Sequence, residues 1–342
     1  MPTGRRSRPN HVFVTRDLPG DGLRRLRDEA NVDLWGEDLP PSREALLEGV
    51  READGLICLL TDNIDAALFD HAERLKVVST MAVGYDHIDV DAATSHNVLV
   101  TNTPGVLTET TADLAFALLL AAARRLPESE RAIREGRWTT WSPAFLLGRD
   151  ISGATLGIVG LGEIGQAVAR RAHGFGMRIL HASLTPKPEV EQELGCSPVT
   201  FDELLAQSDF VTVHVPLTPQ TRHMFDAQAF DRMKETAIFV NTSRGAVVVE
   251  ADLQRALESK SIAAAAIDVA ETEPVAARDP MLRLPNLLVT PHIGSASVAT
   301  RARMADMAID NRLTALDGKQ PANCVNPQVW AGRPITSDGS TA

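Results

Sequence analysis

Cysteine is the first scarcity. Only Cys58, Cys196 and Cys324 occur, far apart and with no Cys-x-x-Cys pair, so neither a disulfide framework nor a zinc site is encoded. Metal chemistry is not expected. Long apolar runs are missing too: the longest, Ala115 to Ala123, falls well short of the roughly 20 residues a spanning helix needs. No block of one charge sign stands out. The 34 basic and 45 acidic residues are spread along the chain, and a formal charge of -11 argues against a nucleic acid partner. Arg5, Arg6 and Arg8 open the chain, but no apolar stretch follows to make a leader, since Val12 to Val14 is too short and begins a strand. A cytoplasmic protein with no membrane partner is expected. Internal repeats and low-complexity tracts are absent. What remains is ordinary globular composition, 44% apolar and 23% charged, which excludes disorder, collagen and coiled coil. At 342 residues there is room for about two domains.

Short β-branched runs alternate with helical stretches almost throughout, the sign of parallel sheet built from βαβ units. A first series runs His11 to Thr15, Val32 to Trp35, Gly55 to Leu60, Val77 to Thr80 and Val98 to Thr101, with helical segments such as Ser42 to Glu52 between. A second, more apolar series runs Thr155 to Val159, Arg178 to Ala182, Phe210 to Val215, Ala237 to Asn241, Ile262 to Ile267 and Leu287 to Thr290. Two doubly wound α/β domains follow. Leu107 to Leu126 reads as a helix apolar on nearly every face, hence buried on nearly every face, with Thr108 as N-cap and Glu109 at its positive end. After Pro291, helical spacing returns at Val298, Met304, Ile309, Leu313 and Leu316, so the chain crosses back to complete the first domain. The expected borders are 1–104 with 293–326 for one domain, 105–292 for the other, and a loose tail over 327–342.

Directly after the apolar run ending at Val159 comes Gly160-Leu161-Gly162-Glu163-Ile164-Gly165, leading into a helix. That context turns a weak GxGxxG signal into a strong one. The first glycine permits the tight turn, the second lets backbone approach a pyrophosphate, and the third packs helix on strand. The helix N-terminus offers unpaired N–H groups to the phosphates. Glu163 stands awkwardly beside them; pointing outward, it complements the helix dipole. An NAD site places an acid at the end of the second strand to hold the ribose 2'-OH. Here that strand ends His181-Ala182-Ser183-Leu184-Thr185-Pro186-Lys187, and the acid is missing. Ser183 and Thr185 as donors, with the charge of Lys187, suit a 2'-phosphate, so NADP(H) is preferred over NAD(H). His181 reads as a strand residue facing the packed helices.

Ligands of a doubly wound sheet bind at the carboxyl ends of its strands. Three successive ends supply Arg244, then Asp268 with Glu273, then His292. A guanidinium fork for a carboxylate, a titratable imidazole and a carboxylate to orient it suit reduction of a 2-oxo acid. His214 is the rival histidine, but packing explains it. Asp268 reads either as a strand-end cap or as a holder of the nicotinamide carboxamide.

Gly160 to Gly165, Asn241 to Gly245, Asp268 to Pro274 and Thr290 to Gly294, in this order, resemble the D-isomer-specific 2-hydroxyacid dehydrogenases over roughly His11 to Asn326. Ala82 to Asp89, Thr101 to Thr108 and the serine at 183 look most like the glyoxylate and hydroxypyruvate reductases of that family. The resemblance implies a Rossmann nucleotide-binding domain, a smaller flavodoxin-like substrate domain and a homodimer. It implies that Arg244 holds the substrate carboxylate, His292 is the acid/base and Glu273 its partner. Backbone around Val83 and Gly84, with Leu60, would meet substrate from the smaller domain. Trp141 matches a residue that in similar reductases reaches into the neighbouring subunit's site, or is an ordinary interface tryptophan. Cofactor contacts are implied at Thr108, Gly160 to Gly165, Ser183, Leu184, Thr185, Lys187, Val215, Pro216, Thr242, Ser243, Arg244, Asp268, His292 and Gly294. Leu184 and Pro186 depart from the arginines of NADPH-using relatives. Ala270 replaces a usual aromatic and Val249 a usual acid.

The expected reaction reduces glyoxylate to glycolate and hydroxypyruvate to D-glycerate, with the domains closing on cofactor and substrate. A rival is an NAD-dependent dehydrogenase of bulkier D-2-hydroxy acids or 3-phosphoglycerate. It asks for basic residues near Leu59, Leu60 and Val83, where the sequence is apolar and small. A rival of another class is a dinucleotide-sensing binding protein like the C-terminal binding protein corepressors.

Overall fold

In a computed structural model, which describes residues 10–331, the chain divides into two units. One runs to Leu107 and resumes at Ala296; the other is Thr108–Ser295, each border a few residues past the expected one. Arg5, Arg6 and Arg8 lie outside the described residues, as does the tail beyond a short helix Gln328–Ala331.

The smaller unit holds β1 (His11–Val14), β2 (Asn31–Leu34), β3 (Gly55–Cys58), β4 (Val77–Thr80) and β5 (Leu99–Thr101). They are all parallel in the order β2-β1-β3-β4-β5. This is the flavodoxin-like order, with its switch point between β1 and β3. β3, β4 and β5 are buried at every residue, as strands covered by helices on both faces must be. Connecting helices are started by side chains the sequence supplies: Ser42, Asp65 and Asp89 each accept an amide hydrogen bond at a helix start. The returning helix Val298–Leu316 packs on this sheet. Asn326, fully buried, then accepts from the Val100 amide at 2.8 Å and donates to the Val98 carbonyl at 3.0 Å.

The larger unit holds β6 (Thr155–Val159), β7 (Arg178–Ala182), β8 (Cys196–Pro198), β9 (Phe210–Val213), β10 (Ile238–Asn241), β11 (Ala264–Ile267) and β12 (Leu287–Val289). They form one parallel sheet ordered β12-β11-β10-β9-β6-β7-β8, the Rossmann arrangement with an added strand. β8 has no counterpart in the expected series. It is three residues long and ends in proline, too little for a pattern.

The apolar segment from Leu107 becomes two helices. Thr108–Ala123 is the first; Arg125, at φ 51°, breaks it, and Pro127 opens Leu126–Arg134. On Thr108–Ala123 only Glu109, Asp113 and Ala117 are exposed, a single stripe at four-residue spacing. Glu109 and Asp113 pair there with Arg170 and Arg171 of helix Glu163–His173. Thr108 is not the expected cap: it is the helix's first residue, and its hydroxyl donates to Glu163 at 3.1 Å. Among the described residues no helix is long and apolar enough to cross a membrane.

Candidate active site

The glycine turn divides its three tasks as the motif requires. Gly160 has φ +95°, and a Cβ there would lie 2.6 Å from the His214 carbonyl oxygen and 2.8 Å from Val215. At Gly165 a Cβ would meet the Gly160 carbonyl at 2.1 Å. Around Gly162 the space is open, with nothing within 4 Å of the same position. Gly162 also caps helix Glu163–His173 without any side-chain hydrogen bond. Open space over the N-cap of an eleven-residue helix that no side chain caps fits a pyrophosphate. Ile164 is half-buried and Glu163 exposed. Leu161 is inside the core, and its amide donates to Ser183 Oγ at 2.8 Å. Beyond Ser183, Leu184 is 95% exposed and Thr185 and Pro186 are exposed as well. Lys187 donates its amide to Glu191, a carboxylate that curls back toward β7. Pro216, after half-buried Val215, accepts the Thr221 hydroxyl through its carbonyl.

At the end of β10, Asn241 holds the turn that carries the arginine. Its Oδ1 accepts from the Ser243 amide and hydroxyl, and its Nδ2 donates to the Arg244 carbonyl at 2.9 Å. Thr242 is buried and its hydroxyl has no protein partner, an orphan polar group where nucleotide contact is expected. Gly245 then makes the closest approach among the described glycines: a Cβ would sit 1.9 Å from the carbonyl carbon and oxygen of Ala270. Only glycine lets this turn press on the segment bearing Glu273. Gly245→Ala is therefore expected to destabilise the protein by about 3 kcal/mol or more. A thermal melt reads the loss; an unchanged Tm would contradict the contact.

The third strand end carries the histidine in an unusual backbone conformation, with φ +54° at His292. Asp268 holds it there. Its buried carboxylate accepts from the Thr290 hydroxyl, from the Ile293 amide at 2.9 Å and from the Gly294 amide at 2.7 Å. The His292 amide donates to the Asp268 carbonyl at 2.8 Å. Asp268 is thus committed to the loop, closer to the strand-end reading than to a free contact for the nicotinamide amide. Glu273 Oε2 meets His292 Nδ1 at 2.8 Å, while Oε1 accepts the Ala270 amide at 3.0 Å. Burial pushes the Glu273 carboxyl up, but the hydrogen bond and charge of His292, the Ala270 amide and the charge of Arg244 outweigh it. The group lies below the ordinary carboxylate range. Arg244, Glu273 and His292, 48 positions apart in sequence from first to last, are gathered at the carboxyl ends of β10, β11 and β12.

His214 has a different environment. Burial drives its pKa down to about 3, and Nε2 pairs with Thr212 at 2.9 Å, so it stays neutral and structural. Val249, as its chemistry implies, starts helix Glu250–Ser259 with no side-chain cap.

In the smaller unit, Leu60, Val83 and Gly84 are half-buried. Asn102 Nδ2 donates to the Val83 carbonyl at 2.8 Å, and the Leu59 amide donates to Asp62 at 2.8 Å. A cavity of about 400 Å³ opens beside Leu59 and Met81, lined also by Leu18, Pro19, Val298 and Arg301. The cavity is mostly apolar, but Asp17 and Arg301 line it as well, so a basic side chain does stand near Leu59, which the local sequence did not announce. Trp141 is 78% exposed, on a stretch with no regular structure.

Residues 116–294 match the family model of the D-isomer specific 2-hydroxyacid dehydrogenase NAD binding domain. The chain belongs to this family. It is 51% identical over 324 residues to the glyoxylate reductase of Korarchaeum cryptofilum, covering 94% of this chain and 98% of that one. Identity to the glyoxylate reductase of Thermococcus litoralis is 46% over 327 residues, with 94% and 98% covered. Among solved structures, the NADPH-dependent glyoxylate/hydroxypyruvate reductase of Sinorhizobium meliloti, in complex with NADP and malonate, superposes with a TM-score of 0.82. It shares 32% identity, with 93% of this chain and 97% of that one covered. The larger unit is accordingly a dinucleotide-binding domain of this dehydrogenase family.

Proposed function

We propose that the protein reduces glyoxylate to glycolate and hydroxypyruvate to D-glycerate, preferring NADPH to NADH, as a cytoplasmic homodimer. The observation that carries this reading is the pairing of Glu273 with His292 Nδ1 at 2.8 Å beside Arg244. The names of the relatives support the substrate, and the bound NADP of the Sinorhizobium meliloti enzyme supports the coenzyme. Leu126, Ile133, Trp138, Trp141 and Leu147 are exposed apolar side chains within one short segment, which supports a second copy covering them.

The coenzyme would be held by the amides after Gly162, by Lys187 at the β7 end, where Ser183 stands beside the ribose, and by Thr242, Ser243 and Gly294. When bound, it supplies the hydride that adds to the 2-oxo carbon. Arg244 grips the substrate carboxylate with two parallel N–H groups and fixes the carbonyl. With Nδ1 tied to Glu273, His292 keeps Nε2 for the proton that the carbonyl oxygen takes as negative charge develops. Glu273 stabilises the imidazolium that carries it. The C=O double bond becomes CH–OH, and the histidine regains its proton from solvent.

Initial rates with glyoxylate, hydroxypyruvate, pyruvate and a longer 2-oxo acid, each with NADPH and NADH, test the reading. The small acids are expected to lead and the NADPH/NADH ratio of kcat/KM to exceed one. A lead for the longer acid would overturn the substrate assignment. Ser183→Asp is expected to invert the cofactor ratio, because the new carboxylate accepts from the 2'-OH and repels the phosphate. A wild-type ratio well below one would show that Leu184 and Pro186 outweigh the missing acid.

A further inference from the structure

We infer that His181, backed by Glu191, fixes the direction of the Ser183 hydroxyl proton and so acts as a positioning residue in the choice between 2'-OH and 2'-phosphate dinucleotides. The inference rests on the reading that Ser183 stands beside the adenosine ribose, and it deepens that reading.

His181 lies one residue from the end of β7 and is 2% exposed. Its Nδ1 is 3.4 Å from Ser183 Oγ. On the other side of the ring, Nε2 is 3.4 Å from Glu191 Oε1, near enough for electrostatic attraction though without hydrogen-bond geometry. Glu191 is itself held in place by the Lys187 amide at 3.0 Å. Ser183 Oγ already accepts the amide of Leu161 at 2.8 Å. A line of contacts therefore runs from Glu191 through His181 and Ser183 to the glycine turn.

The proton count along this line sets its polarity. Desolvation lowers the His181 pKa, so near neutrality the ring carries one proton on two nitrogens. The Glu191 charge draws that proton to Nε2. Nδ1 is then an acceptor, and the donor facing it is the Ser183 hydroxyl, which has a single proton to give. With that proton turned inward, Ser183 presents a lone pair outward. A lone pair accepts from a ribose 2'-OH and repels phosphate oxygens, as a carboxylate would, only more weakly. The relay thus reduces the NADPH preference that the missing acid alone would create.

The test is the NADPH/NADH ratio of kcat/KM in wild type, His181→Phe, Glu191→Gln, Ser183→Ala and the His181→Phe/Ser183→Ala double variant. His181→Phe releases the serine proton and is expected to raise the ratio about threefold to tenfold, through the KM for NADPH more than through kcat. Glu191→Gln keeps an oxygen for the Lys187 amide but removes the charge, so it raises the ratio in the same direction by less. In the Ser183→Ala background the His181 change is expected to leave the ratio where it was. A ratio unmoved by both single variants overturns the relay, and so does a shift that persists without the serine hydroxyl. Should His181→Phe fail to fold, Glu191→Gln decides alone. A wild-type ratio below one that still rises in the variants overturns the NADPH preference and leaves the relay standing.

Discussion

His292→Asn is expected to lower kcat for 2-oxo acid reduction by about 10² to 10⁴, the usual worth of a positioned general acid. Asparagine fills a similar volume and can hydrogen-bond Glu273, so the loop held by Asp268 should persist. What disappears is the ring nitrogen that hands a proton to the developing oxyanion. Cofactor affinity, measured by fluorescence titration, should change little, because the glycine turn from Gly160 to Gly165 is untouched. His214→Asn is the control. That side chain is neutral and tied to Thr212, and its replacement is expected to cost far less turnover. Near-normal kcat in His292→Asn would remove the histidine from the chemistry, whatever its geometry with Glu273.

Arg244→Lys is expected to be nearly as damaging even though the charge is retained. The arginine sits on a turn braced by Asn241 on one side and by the Gly245 approach to Ala270 on the other, so its direction is built into the backbone. A planar fork so placed binds a carboxylate through two parallel hydrogen bonds; an ammonium on a flexible stem makes one and does not fix the carbonyl. Lost orientation lowers kcat as well as raising KM for glyoxylate. If both constants survive the change, the substrate carboxylate is held elsewhere and Arg244 is structural.

Sequence periodicity carried most of the fold. Runs such as Val77–Thr80, Thr155–Val159 and Arg178–Ala182 appear as strands with the bounds that their apolar patterns imply. Other runs stop short because a turn claims their last residues: β3 ends at Cys58, where the Leu59 amide turns to Asp62. The glycine motif was legible because each glycine answers a local steric demand. The trio of Arg244, Glu273 and His292 was legible because strand ends of a parallel sheet converge. Less legible were relations between atoms distant in sequence that no residue type announces. Thr108 looked like a cap and instead donates to Glu163, 55 residues on. Asp268 had two readings, and only its three donors show how fully the His292 loop depends on it. The curl of Glu191 back to Lys187 and His181 also had no signature, because a glutamate on a short surface helix usually faces water.

The proposed role of the three strand-end residues is hydride reduction of glyoxylate. Its most direct test is the steady-state kcat/KM for glyoxylate with NADPH on the purified full chain, with glycolate counted against NADPH consumed. One glycolate per NADPH is expected, with a kcat/KM above about 10⁴ M⁻¹s⁻¹, within the ordinary enzyme range. Tight NADPH binding without glyoxylate turnover would contradict it and favour a protein that senses the dinucleotide instead of using it.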